Sequence, residues 1–120
     1  MPVKINQPTF VEAAGNKFKS IEEYVGRLNS RTSEASIARV VSPPGWIEPG
    51  QKTDFTECTL VLKGVLRVQT GSEEFIIHEN EAIVVNAGEW VQYSTPGDDG
   101  AEYISVCVPA FAQNSVHRDE

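Results

Sequence analysis

Short runs of apolar, β-branched and aromatic residues recur along the chain from about residue 34, and turn-forming segments separate most of them. The runs lie at 34–41, 58–64, 65–70, 74–78, 81–86, 89–94 and 102–108. Val, Ile, Thr and aromatic residues favour strands, whereas segments such as "SPPG" and "TPGDDG" favour turns. A series of short strands with no alternating helices predicts an all-β sandwich or barrel.

The segment 20–30, "SIEEYVGRLNS", is compatible with two structures. Ser20 and Glu23 have the spacing of a helix capping box, and the apolar residues follow a helical period. A glycine interrupts that period, however, and "NSRTS" at 29–33 is typical of a hairpin loop. We favour a strand over a helix, because pairing with the next strand would cover an exposed sheet edge.

Length and charge restrict the function classes. A chain of 120 residues predicts one domain, and 17 acidic against 10 basic residues give a net charge of −7. Binding to nucleic acid needs clustered Lys and Arg, so we expect no nucleic-acid partner. No apolar run approaches the ~20 residues of a membrane span, and the first residues lack the apolar core of a signal peptide. We therefore expect a cytoplasmic protein that does not bind membranes.

The spacing of two segments resembles the two cupin motifs. The first motif is matched by Gly45, Gln51, Thr53, Glu57 and Gly64. The second is matched by the positions Asn80, Asn86, Gly88, Val91 and Thr95. The chain resembles a small single-domain bacterial cupin over about 37–108. This resemblance implies a jelly-roll barrel at 34–108, an N-terminal extension at 1–33 that packs on the barrel or on a partner, and a tail at 109–120.

The departures from the motifs concern the metal ligands. In metal-binding cupins the positions of Gln51, Thr53 and Val91 are histidines, and only the glutamate, Glu57, is kept here. The chain is in this respect similar to the histidine-poor ethanolamine-utilisation cupins. A valine has no donor atom, and a neutral amide and hydroxyl replace imidazole poorly. We expect no tightly bound transition metal and no cofactor, and leave open whether His78 or His117 rebuilds a site.

The cupin resemblance also places Glu57 inside the barrel. Strand alternation then puts Thr59 and Val61 on the inner face, and Cys58, Leu60 and Leu62 on the outer face. The predicted ligand contacts are Gln51, Thr53, Glu57, Thr59, Val91 and Tyr93. Of these, Glu57 and Tyr93 are the candidate catalytic residues. The alternative is that Glu57 only forms hydrogen bonds within a packed interior.

Three functions follow from this interior. The first is a cupin that binds a small organic molecule without a transition metal. The second is an isomerase, epimerase or lyase acting on a small sugar or carboxylic acid, with Glu57 as general acid or base. The third is a metal-dependent dioxygenase, which the missing histidines disfavour. Whether the protein is an enzyme is open at this point.

A homodimer is the expected assembly. Small cupins commonly pair, and an open sheet leaves edges that invite strand addition. The outward row of Cys58, Leu60 and Leu62 is also too apolar to favour contact with water. We expect another copy of the chain, or the second sheet of its own barrel, to cover this row.

Overall fold

The computed structural model describes residues 2–119, which form two packed β-sheets. The first sheet has the spatial order β1 (Thr9–Phe10), β2 (Ser20–Val25), β3 (Ser36–Ser42), β11 (Ala101–Val108), β6 (Thr56–Gly64) and β9 (Ala82–Val85). The second has the order β12 (Val116–Arg118), β5 (Gln51–Thr53), β10 (Val91–Thr95), β7 (Leu66–Thr70) and β8 (Glu74–Ile77), with β4 (Trp46–Ile47) also pairing with β10. All these pairings are antiparallel. The predicted all-β jelly-roll barrel is confirmed, and each of the seven predicted runs overlaps a strand.

The ambiguous segment at 20–30 begins as strand β2, as we favoured. It pairs with β3 of its own barrel, and the short strand β1 in turn covers the outer edge of β2. Glu23, the residue that suggested a capping box, is 2% exposed and accepts hydrogen bonds from the backbone N–H groups of Leu28 and Asn29, each at 3.0 Å. The carboxylate thus stabilises the turn after β2, and no helix forms.

Two glycines explain why the frame of the first motif is kept. Gly45 and Gly64 have φ angles of 75° and 76°, in the left-handed region that other residues seldom adopt. At Gly64 a side chain would also collide with the carbonyl oxygen of Gly100. Asn80 stands where the second motif usually has glycine, and its φ of 66° is one that asparagine tolerates better than most residues.

The inner faces of the sheets hold the core. Trp46, Val61, Leu66 and Val68 are 0% exposed and belong to one apolar cluster between the sheets. The alternation predicted for β6 is present, since Thr59 and Val61 are buried whereas Leu60 is 42% exposed on the outer face. The core therefore anchors the strands that carry the candidate site residues.

Both ends of the chain pack against the barrel. The N-terminal segment crosses near β4, where Trp46 Nε1 donates to the carbonyl oxygen of Ala14 at 3.2 Å. The tail passes through a short 3-10 helix (Gln113–Ser115) and ends in β12, which pairs with β5. Among residues 2–119, no helix is long and apolar enough to cross a membrane.

Candidate functional site

A cavity lies between the two sheets and is closed at its sides by both ends of the chain. About 90 Å³ of it is open to the centre of a water-sized sphere. Strands β3, β6 and β11 form one wall, and strands β5, β10 and β12 form the opposite wall. Residues of the segment 11–19, strand β2, Glu48, Phe55 and Phe111 complete the lining. The extension and the tail are therefore parts of the cavity wall.

Glu57 lies in this cavity and is held by two hydroxyl groups. The Tyr93 hydroxyl donates to Glu57 Oε1 at 3.1 Å, and the Ser105 hydroxyl donates to Glu57 Oε2. Burial is the main cause that raises the pKa of Tyr93 well above its usual value, and the nearby negative charge of Glu57 is the second cause. Tyr93 therefore stays a hydrogen-bond donor at every physiological pH, and it fixes the orientation of the carboxylate.

A second carboxylate, that of Glu48, lines the same cavity. Glu48 Oε1 lies 3.3 Å from the Lys19 ammonium, and the side chains of Lys19 and Glu48 are only 10% and 7% exposed. The ammonium also lies 4.0 Å from the ring centroid of Trp46, a cation–π contact. Trp46 thus serves as a packing anchor that also positions Lys19.

The second oxygen of Glu48 sets this residue apart. In the part of the chain that the structure describes, Glu48 Oε2 is a buried side-chain oxygen with no hydrogen-bond partner. Burial raises the pKa of Glu48 to about 7, because the Lys19 charge offsets only part of the desolvation and Glu57 adds a like charge. A carboxyl group with this pKa can either donate or accept a proton near neutral pH.

Other buried polar groups around the cavity are committed to structural contacts. The hydroxyls of Tyr103 and Ser42 bond to each other at 2.9 Å. Glu23 stabilises the turn after β2. Burial raises the pKa of the Cys107 thiol, which keeps it protonated and a weak nucleophile.

The structure brings four of the six predicted ligand contacts to the cavity. These are Gln51, Glu57, Thr59 and Tyr93. The other two lie elsewhere in the interior: the Thr53 hydroxyl donates to the carbonyl oxygen of Phe55 at 2.7 Å, and Val91 packs in the apolar cluster. The candidate catalytic pair, Glu57 and Tyr93, is in direct contact.

Sequence reasoning missed several polar residues of the cavity, among them Lys19, Glu48 and Ser105. Glu48 could have been found, because strand alternation from the buried Trp46 places it on the inner face. Ser105 alternates with Ile104 and Val106, and such a pattern ordinarily suggests that the aliphatic side is the inner one. Lys19 had no local signal, since only the path of the N-terminal segment brings it to the cavity.

The residues at the cupin metal positions do not fit a transition-metal site. Val91 has no donor atom, and the Thr53 hydroxyl is already bonded to a backbone carbonyl. Neither histidine replaces the missing ligands: His78 pairs with Glu81 at 3.2 Å, and His117 pairs with Asp54 at 3.0 Å, both at exposed positions. Within residues 2–119 no group of three or more His, Cys, Asp or Glu is placed to hold a metal ion.

Solved structures with the same fold have varied roles. A nucleoside dehydratase from Streptomyces, PAC13, solved with uridine, is 14% identical with a TM-score of 0.80, and the match covers 100% of this chain and 92% of that chain. The polyketide cyclase RemF from Streptomyces resistomycificus is 13% identical with a TM-score of 0.79, over 100% and 87% of the two chains. The EutQ protein of Clostridium difficile is 18% identical with a TM-score of 0.62, over 77% and 63%. At these identities the likeness shows the fold alone.

The sequence also matches a curated protein and a family model. The chain is 39% identical over 101 residues to Endoribonuclease YbeY of Myxococcus xanthus, an alignment that covers 84% of this chain and 34% of that protein. The chain thus spans about a third of the length of this curated relative. A family model described as "Cupin domain" matches residues 38–107, which is more than half of the chain. This chain therefore belongs to the cupin family.

Proposed function

We propose that the barrel binds a small, uncharged, hydroxyl-bearing organic molecule without a tightly bound transition metal. The observation that carries this proposal is the cavity, which is lined by Gln51, Glu57 and Tyr93 together with Glu48, whose Oε2 is buried without a hydrogen-bond partner. A cleft or cavity with a few convergent polar groups is the usual form of a small-molecule site. A buried oxygen without a partner costs ~1–3 kcal/mol, which a ligand hydroxyl would recover by donating to it.

The charges of the cavity wall favour an uncharged ligand over an anion. Acidic residues outnumber basic ones in the lining, namely Glu12, Glu23, Glu48 and Glu57 against Lys19 and Arg118. Lys19 is already paired with Glu48. An anionic ligand would meet this excess of acidic side chains after losing its own hydration, and both effects disfavour binding. Of the ligands expected from the sequence, small sugars are therefore favoured over carboxylic acids.

The size of the cavity suggests the size of the ligand. About 90 Å³ open to the centres of water-sized spheres is a small site, because sites for drug-sized ligands have ~300–1,000 Å³, and this favours a much smaller ligand. Three-carbon and four-carbon hydroxylated compounds have this size. We therefore propose short polyols and short hydroxycarbonyl compounds as the ligand class.

Ligand-observed NMR tests this function directly. Saturation transfer from the protein to glycerol, erythritol, dihydroxyacetone, hydroxyacetone and erythrulose is measured for the wild type and for the Glu57→Gln variant. We expect transfer to at least one compound with the wild type and its loss with Glu57→Gln, while circular dichroism shows that the fold is kept. Glu102→Gln is the matched control, since Glu102 pairs with Arg39 outside the cavity and should leave binding unchanged.

Two results would contradict the proposal. If the wild type binds no compound of the panel, the proposed ligand class is wrong. If Glu57→Gln unfolds the protein and Tyr93→Phe leaves binding intact, Glu57 is a structural residue of a packed interior.

The second candidate function is an isomerase, epimerase or lyase with Glu57 as proton shuttle and Tyr93 as its partner. The contact of 3.1 Å between Tyr93 and Glu57 favours it, because it places a donor on the candidate base. The dehydratase and cyclase with the same fold are enzymes, but the likeness does not carry their reactions to this chain. We also do not assign the endoribonuclease name of the longer relative to this chain, because its charge balance is acidic.

We expect the protein to act in the cytoplasm.

A further inference from the structure

The cavity holds two carboxylates in different environments, and this difference assigns them different roles. Both oxygens of Glu57 accept a hydrogen bond, from Tyr93 and from Ser105. These two hydrogen bonds fix the orientation of the Glu57 carboxyl group, so that it can anchor a ligand hydroxyl. Glu48, by contrast, accepts only the Lys19 contact through Oε1, and its Oε2 has no partner among the described residues.

From this arrangement we infer that Glu48 is the residue that exchanges a proton with the bound molecule, and that Lys19 stabilises the negative charge this exchange creates on a substrate carbonyl oxygen. The inference rests on the proposed function, because it takes its substrates from the same class, the short hydroxycarbonyl compounds. It moves the proton-transfer role from Glu57 to Glu48. Glu57 and Tyr93 then bind and orient the substrate.

The step is a reversible enolisation. The Glu48 carboxylate removes the proton from the carbon next to the substrate carbonyl. The C–H electron pair forms a carbon–carbon double bond, and the carbonyl π pair moves onto the oxygen. The same carboxyl group then returns a proton to the first carbon and the oxygen's electron pair re-forms the carbonyl, so no oxidant, reductant or second substrate is needed.

The surroundings of Glu48 suit this role. A general acid or base works best when its pKa is close to the working pH, and burial raises the pKa of Glu48 to about 7. The Lys19 ammonium lines the same cavity and is held over Trp46, so its position is set before a substrate binds. A preoriented cation beside the position where charge develops stabilises the oxyanion.

Hydrogen–deuterium exchange at carbon tests the inference without knowledge of the final product. Dihydroxyacetone, hydroxyacetone and erythrulose are incubated with the protein in D₂O near neutral pH, and the loss of the signal of protons next to the carbonyl is followed by proton NMR. We expect the wild type to accelerate exchange for a compound that it binds. Proton transfer by a positioned group contributes about 10²- to 10⁴-fold, so Glu48→Gln should slow the catalysed exchange by at least about 100-fold.

Further variants separate chemistry from folding. Glu48→Gln leaves the Lys19 ammonium unpaired, so the double variant Lys19→Met with Glu48→Gln serves as a second test with an uncharged pair. Lys19→Met alone should slow exchange while the compound still binds, and Glu57→Gln should reduce binding. Glu102→Gln, outside the cavity, should exchange at the wild-type rate.

The outcomes distinguish this inference from the proposed function. If a compound binds and the wild type accelerates no exchange, or if Glu48→Gln and the double variant both exchange at the wild-type rate, the inference is overturned and the binding function stands. If no compound of the panel binds, the proposed function fails and the inference fails with it. Exchange that is lost in Glu57→Gln and kept in Glu48→Gln would show that Glu57 transfers the proton.

Discussion

The burial of Glu48 has a measurable consequence for stability as a function of pH. The pKa of this carboxyl rises from 4.5 to about 7 in the folded protein, mainly because burial penalises its charged form. The folded state therefore holds a proton that the unfolded state releases at a lower pH. Stability from this group is fully present below pH 4.5, declines as the pH rises from 4.5 to about 7, and stays constant above that.

The size of the effect follows from the two pKa values. Each tenfold change in proton affinity corresponds to about 1.4 kcal/mol, so raising the pKa from 4.5 to about 7 is worth about 3 kcal/mol of unfolding free energy. The charges that set the pKa besides burial are those of Lys19, Glu57 and Arg118. Glu48→Gln removes the titrating group and keeps nearly the same shape.

The assay is urea denaturation of the wild type and of Glu48→Gln at a series of pH values from 4 to 8. We expect the stability of the wild type relative to the variant to fall by about 3 kcal/mol over this range, with most of the loss below pH 7. Surface carboxyls whose pKa is lowered, such as Glu34 and Glu81, oppose this trend in both proteins and cancel in the difference. A difference that is constant with pH, or that grows as the pH rises, would refute the reasoning.

Three further outcomes are expected. Protein purified without added metal should carry well under one equivalent of iron, zinc, manganese, copper or nickel by elemental analysis; stoichiometric metal that survives mild chelation would show that the residues around Glu57 bind it after all. Light scattering at micromolar concentration should give about twice the chain mass of 13.2 kDa, because Leu60 and Val84 are 42% and 60% exposed on the outer sheet face. A monomer would refute the homodimer, and Leu60→Glu should favour the monomer. Gly64→Ala should lower the unfolding free energy by more than ~1 kcal/mol in urea denaturation, because the left-handed backbone and the Gly100 carbonyl leave no place for a methyl group. Gly71→Ala is the control, because no atom lies near that position.

The strands were predictable because their signal is local. In β6, residues at alternate positions face opposite sides of the sheet, so the burial of Thr59 and Val61 and the exposure of Leu60 follow once one residue is known to face inward. The motif glycines were predictable for a similar reason, since a left-handed backbone restricts the residue type at that position alone. The contact between Glu57 and Tyr93 joins residues of two strands that the motif spacing already placed together.

Local pattern was less decisive at Glu23. The capping-box spacing and the strand pattern have comparable weight over residues 20–25, and neither pattern carries information about the rest of the fold. In the structure, β3 offers backbone partners to this segment, and the Glu23 carboxylate caps the turn that follows. Tertiary pairing therefore decided the element.

By itself the sequence determined a histidine-poor cupin barrel, its strands, and an inward glutamate at position 57, because these depend on local propensity and on motif spacing. Only the tertiary structure decided the composition of the cavity. Lys19 reaches it from the N-terminal extension and Arg118 from the tail, across distances in the chain that no local pattern spans. The raised pKa of Glu48 likewise depends on burial and on charges contributed by separate segments, so the shift arises only in the folded barrel.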